Sequence, residues 1–217
     1  MKRFISTAGI VLLLSAPLHG CDSDDAPGED DLRGNDGGGD EERVQVLVGE
    51  LSNTDVKLGV ISKGDKARLF FCGGETSVED STKWLVVEMD QNSAFEIDSG
   101  DWHLSGQLDG DRLSGELERT DDEEKGGDFL ARLIDPDTAA GVYEGTDDQC
   151  GKVGLIVTQP TPDDEAAGQG ACVGMDHPPQ PVGVLLPIVV EGDGSIGVEL
   201  EDAGKKRPAS VIAALPP

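Results

Sequence analysis

The sequence predicts an all-β fold: an antiparallel β-barrel or sandwich of about ten short strands, after a disordered acidic linker. Three observations predict it. Strand-forming residues recur in short runs, several alternating apolar with polar, bounded by Asn, Asp, Gly or Ser. Thirty Gly and twelve Pro in 217 residues supply many turns and leave little room for helix. Two near-copies, Leu104-Ser-Gly-Gln-Leu108 and Leu113-Ser-Gly-Glu-Leu117, flank Asp109-Gly110, a strong hairpin-turn signal because Gly accepts a positive φ.

The elements follow in order. "VQVLVGEL" (44–51) alternates over its first half and "VKLGVI" (56–61) alternates too, while "ARLFFC" (67–72) is rich in strand formers. A helical turn is expected near residues 77–83, with Thr76 or Ser77 as its cap. "WLVVEM" (84–89) and residues 94–97 are the next strands. "WHLSGQLDGDRLSGELE" (102–118) is a β-hairpin in which the two Leu of each arm share a face. The middle Gly of each arm lies on that face too and leaves room for a bulky neighbour or a bend. Residues 129–134, 141–144 and 152–158 read as strands, and 182–190 with 196–200 as a hairpin around "EGDGS". Residues 211–215 are a last strand or a short helix. Short strands at this spacing fit a barrel or sandwich.

The N-terminus is of another kind. Lys2 and Arg3 precede "FISTAGIVLLLSAP" (4–17), an apolar run of signal-peptide length and shorter than the ~20 residues of a membrane-spanning helix. It closes with Leu18-His19-Gly20-Cys21, and acid begins at Asp22. This pattern resembles the signal and lipobox of bacterial lipoproteins, with His19 standing where that family has a small residue. The resemblance implies cleavage before Cys21, a diacylglyceryl group on its thiol, and acylation of the new N-terminus. The expected partner is then a bacterial membrane, held on its extracytoplasmic side through lipid; inner or outer membrane is left open. Each buried CH₂ contributes about 0.8 kcal/mol, so two or three acyl chains hold firmly where one binds reversibly.

The expected organisation is a signal peptide at 1–20, an acidic tether at 21–43 and a β-rich domain at 44–217, with a possible sub-boundary near 145. Residues 22–43 hold ten acidic residues, two Arg and one large apolar residue, Leu32. Such a segment cannot bury enough surface to offset its ordering entropy, and like charges extend it. As a flexible coil it reaches roughly 25–30 Å, enough to lift a domain off a membrane. The order of strands and turns over about residues 46–145 also resembles a β-rich repeat of bacterial envelope proteins. The shared features are strand–Cys–Gly at Cys72-Gly73, a Trp-led segment, the Leu-x-Gly hairpin and a closing Ala-Gly-Val-Tyr, with Val142 in place of the usual Leu. The repeat carries no activity that the resemblance transfers.

Charge and motifs narrow the function. The chain holds 44 acidic and 17 basic residues, and removing residues 1–20 takes only basic ones, Lys2 and Arg3. Phosphate recognition needs clustered Lys and Arg, and the one basic cluster, Lys205-Lys206-Arg207, adjoins Asp202; no nucleic-acid partner is expected. Four Cys occur. With Cys21 lipidated, Cys72, Cys150 and Cys172 allow one internal disulfide and one spare thiol. Cys150 and Cys172 flank a strand and a turn-rich return, which favours their pairing; pairings through Cys72 stay open at this point. His103 and His177 are the only His beyond the signal, and no His-x-x-x-His or Cys-x-x-Cys spacing occurs, so no metal site is expected. Gly192-Asp193-Gly194-Ser195-Ile196-Gly197 matches a dinucleotide fingerprint, but that site needs a helix next and "VELEDAG" alternates as a strand. Pairs of acids at 121–124, 147–148 and 163–165 read as solvated loops. No cofactor and no catalytic residue are expected. The leading expectation is a lipid-anchored cell-envelope protein, a non-catalytic binding or structural module for another envelope protein or a glycan. The alternatives are a hydrolase with an unrecognised active site and a β-barrel carrier of a small apolar ligand.

Overall fold

The computed structural model describes residues 43–148, 150–174, 178–202 and 205–217. The signal, Cys21, the tether up to residue 42, and His177 lie outside the described residues. The all-β expectation holds, in fourteen strands rather than about ten. Eight form the first sheet: β1 (Gln45–Leu51), β2 (Lys57–Lys63), β3 (Lys66–Cys72), β4 (Lys83–Glu88), β5 (Ala94–Ser99), β6 (Trp102–Asp109), β7 (Arg112–Arg119) and β8 (Gly127–Leu133). Their order is β4-β3-β2-β1-β8-β7-β6-β5, all antiparallel, and the sheet curls until it is nearly closed, with β4 and β5 as its edges. The other six are β9 (Gly141–Asp147), β10 (Gly151–Thr158), β11 (Ala167–Val173), β12 (Gln180–Val184), β13 (Ser195–Asp202) and β14 (Lys205–Ala213). These close into a barrel in the order β10-β11-β12-β13-β14-β9. The chain passes from sheet to barrel across residues 134–140.

The 102–118 hairpin forms as expected. Leu104 pairs with Leu117, Gly106 with Gly115 and Leu108 with Leu113, and Gly110 takes φ +61° at the turn. The paired glycines make room for aromatic rings. A Cβ on Gly106 would lie 2.7 Å from Phe95 Cζ, and one on Gly115 would run into the Phe129 ring and the Ser105 carbonyl. The expected helical turn is α1 (Val78–Ser81). Ser77 precedes it but does not cap it with its side chain; its hydroxyl instead donates to Asp55 Oδ1 and accepts from Gly74 N–H at 3.1 Å.

Two expectations are corrected. The strand read at 182–190 ends at Val184, the last residue of β12 paired to β13, and Pro187 beyond it has no N–H to continue the ladder. Val190 rejoins by a single bridge to Ile196. Strand β11 was read as part of a turn-rich loop. Its segment, Ala-Gly-Gln-Gly-Ala-Cys-Val, shows no alternation of large apolar residues, yet it pairs with β10 over seven positions. The terminal segment read as strand or helix is strand, to Ala213.

The core has three parts, and the strand period of two explains them. Leu58, Val60, Ala67, Leu69 and Phe71 point into the first sheet, beside Leu104, Leu117 and Phe129. Val153, Leu155 and Val157 fill the barrel with Ile196, Val198 and Val211. The intervening residues are buried as well: Ile61, Phe70 and Cys72 from the sheet meet Val142, Ile156 and Ala171 from the barrel. Strands β2, β3 and β10 are therefore covered on both faces, which is why "RLFFC" and "GLIVT" run on without alternating. Gly59 and Gly154 let the two bodies approach. A Cβ on Gly154 would collide with the Phe70 ring, and one on Gly59 would lie 3.2 Å from Ile156.

Candidate functional site

The strongest side-chain cluster stands at the junction between sheet and barrel. Trp84 stacks on Phe70, with ring centroids 4.4 Å apart and planes 15° from parallel. Arg68 lies 4.7 Å and Lys152 Nζ 4.4 Å from the Trp84 ring centre. Alternation puts Arg68 and Phe70 of β3 on the outer face of the sheet, and cross-strand pairing sets Trp84 opposite Phe70. The counter-charge comes from β9. Glu144 receives Arg68 at 3.2 and 2.8 Å, Lys152 at 2.8 Å, and the Leu215 N–H at 3.2 Å. Arg68 also donates to the Leu215 carbonyl at 2.6 Å, so the C-terminal residues are drawn across the junction. Among the described residues, Trp84 Nε1 is the one buried side-chain polar atom without a hydrogen-bond partner; the indole is placed by its ring contacts.

The Arg68 hydrogen bonds, assisted by Lys152 and the Leu215 N–H, hold the Glu144 carboxyl at about 2, against an opposing push from burial. Its folded value is below its unfolded one, so the stability it contributes is present above pH ~4.5 and is lost as pH falls towards 2. At neutral pH this amounts to on the order of 2 kcal/mol after allowing for solvent screening. Acid titration of the urea midpoint should show that loss, and Glu144→Gln should be less stable at pH 7 with a flatter acid limb. An unchanged limb in the variant would remove Glu144 from the account.

The second Trp is treated alike. Trp102 meets Phe71 edge-on at 5.3 Å, with Arg119 at 5.2 Å and Lys83 Nζ at 5.4 Å from its ring centre. Arg119 is buried and each of its three guanidinium nitrogens donates: two to Asp121 at 2.7 and 2.6 Å, and the third to the Asp80 carbonyl at 2.8 Å. In a chain with 17 basic residues, four of them stand on the two Trp rings. That use is structural, because each of the two Arg also has a fixed acidic partner.

Sequence-singled residues fall apart from one another. Cys150 and Cys172 form the disulfide, joining the start of β10 to the end of β11. Cys72 is a buried free thiol beneath the barrel, and burial pushes it up to about 12, so it is no nucleophile at neutral pH. Gln169 of β11 donates to the carbonyls of Cys72 and Asp55 just above it. His103 sits on β6, 2.8 Å from Asp98 and 3.7 Å from Glu96. The Asp98 hydrogen bond raises its pKa, and the charged groups acting on it are the acids Asp98, Glu96 and Glu118. The segment after Gly194 is strand β13, so no helix N-terminus faces the glycines. Among the described residues no group of three or more His, Cys, Asp or Glu is placed to hold a metal ion.

Two surface features were not foreseen. A groove of about 470 Å³ runs between Gly73-Gly74-Glu75 and strands β11 and β12, floored largely by glycine. The excursion after β12 exposes Leu185, Leu186, Val189 and Val190, with Leu186 69% exposed. The uncharged stretch "PVGVLLPIVV" (181–190), long for so acidic a chain, carried that signal in the sequence. No family model, no curated protein and no solved structure matches this chain.

Proposed function

We propose that the chain is a bacterial lipoprotein, fastened through Cys21 on the extracytoplasmic side of a membrane, whose β-rich domain is a non-catalytic binding module of the cell envelope. The observation that carries the binding reading is that large apolar side chains occupy the described interior of both sheet and barrel while apolar surface remains outside. Leu47, Leu58, Leu69, Leu104 and Leu113 fill the first sheet and Leu155 the barrel, each 1% exposed or less. A carrier of a small apolar ligand needs a hollow where these side chains stand. The described carboxylates with shifted pKa, buried or not, are engaged in structure: Glu144 on Arg68 and Lys152, Asp55 on Ser77 and Thr76, Asp121 on Arg119, Asp90 on the backbone of Ala94 and Asn92, and Asp193 on Ser195. Against that, the exposed 185–190 excursion is the kind of apolar surface that marks a partner site. The partner expected is another envelope protein or a glycan.

The anchor has a direct test. Growth with a fatty-acid analogue should label the protein, and Cys21→Ala should abolish the label and release the protein from the membrane fraction. Equal labelling of the variant would overturn the anchor.

A further inference from the structure

The first sheet fails to close at one seam, and the failure is local. Strands β4 and β5 are consecutive, six residues each, and joined by a turn in which Asp90 N–H donates to the Ala94 carbonyl at 2.8 Å. Strands connected this tightly ordinarily pair as a hairpin. Here β4 pairs only with β3 and β5 only with β6; among the described residues no strand takes the other edge of either. At the far end the seam is spanned by a side chain instead of a ladder: Lys83 Nζ donates to the Ser99 carbonyl at 2.7 Å. Two facing edges of unpaired main chain are a template for an added strand.

The faces on either side of the seam say what that strand would carry. Inward, Leu85, Val87 and Phe95 belong to the apolar core and Ile97 packs against it. Outward, Val86 is 56% exposed, and beside it stand Glu88, Glu96 and Asp98 with side chains 80%, 74% and 84% exposed. Lys66 lies 4.0 Å from Glu88, and the one His103 ring serves both Glu96 and Asp98, so the acids outnumber these partners. The chain's own tether is a poor occupant, because its ten acids would meet these. We propose that the β4–β5 seam is a binding site for an extended segment of another protein, with apolar side chains alternating with Lys or Arg, which enters as a strand between the two edges. This deepens the binding-module reading and rests on it; the lipid-labelling test fails or succeeds independently of the seam.

The test uses the full-length chain and three blocked octapeptides: alternating Lys and Val, alternating Glu and Val, and alternating Lys and Pro. The third has the charge of the first but lacks half its N–H donors. The Lys/Val peptide is expected to bind and to slow amide exchange across residues 83–88 and 94–99; the other two are not. Glu88→Lys with Glu96→Lys, both exposed, should weaken Lys/Val binding about tenfold. Asp163→Lys with Glu165→Lys, exposed in the loop between β10 and β11, should leave it unchanged. Equal binding of Lys/Val and Lys/Pro peptides, protection elsewhere than the seam, or indifference to the Glu88 and Glu96 reversal would each overturn the proposal.

Discussion

Phe70→Ala is expected to lower the free energy of unfolding by about 3–5 kcal/mol, the range for emptying a buried aromatic site. Phe70 is fully buried, on the face of β3 that meets the barrel rather than the sheet's own interior. Its ring fills the space left by Gly154 and carries the Trp84 indole. Truncation removes the buried area, opens a cavity bounded by two rigid strand layers, and forfeits a stacked pair worth roughly 0.5–1.5 kcal/mol beyond its area. The rigidity matters: neither β3 nor β10 can move in, because each is held by ladders on both sides. Urea unfolding followed by far-UV dichroism measures the loss. A change under 1 kcal/mol would mean that the two bodies do not depend on this contact.

Replacing both bridged cysteines, Cys150→Ala with Cys172→Ala, is expected to cost about 3 kcal/mol on chain-entropy grounds, for a bridge spanning 22 residues. The double substitution leaves no new thiol to mispair. The bridge ties the open end of the β10–β11 hairpin, where Val153 already pairs with Cys172 and Cys150 N–H donates to Asp147 at 2.9 Å. In the absence of the bridge that hairpin must be closed by β11, a strand of small residues with little apolar area of its own. The expected signature is faster amide exchange in β10 and β11 while β6 and β7 keep their protection. Uniform loss across both bodies would show instead that sheet and barrel unfold as one.

The parts of the fold legible in the sequence were those where one face is wet. The β6–β7 hairpin declared itself through its Leu spacing, its glycines and Asp109-Gly110, and even the vacancy above the glycines was readable before Phe95 and Phe129 were seen to fill it. Strand β11 was not legible, because its period is written in Gly and Ala: Ala171 packs at the junction and Gly170 sits under Leu155, positions that require small side chains and so erase the alternation. The junction itself left a trace in the unbroken apolar runs of β3 and β10, which mark strands covered twice, but a run does not name what covers it. The Trp84 cluster needed four separate segments, at residues 68, 84, 144 and 152, to meet, and no spacing rule links them. The disulfide was legible only as a preference, from the strand and return between Cys150 and Cys172; the burial of Cys72 in β3, apart from both, closes the pairings that spacing leaves open.

Cys72 gives the molecule a clock. It is the free thiol among the described residues, enclosed between the two bodies and protonated far above neutral pH. An alkylating reagent can reach it only during excursions that part its cover, made by the barrel and by Val78 of α1. Its labelling rate under native conditions, divided by the rate of an exposed thiol, is therefore the equilibrium constant for that parting whenever reclosure outruns the reagent. A single chemical site, placed by the alternation of β3, thus converts an otherwise silent separation into a measurable frequency.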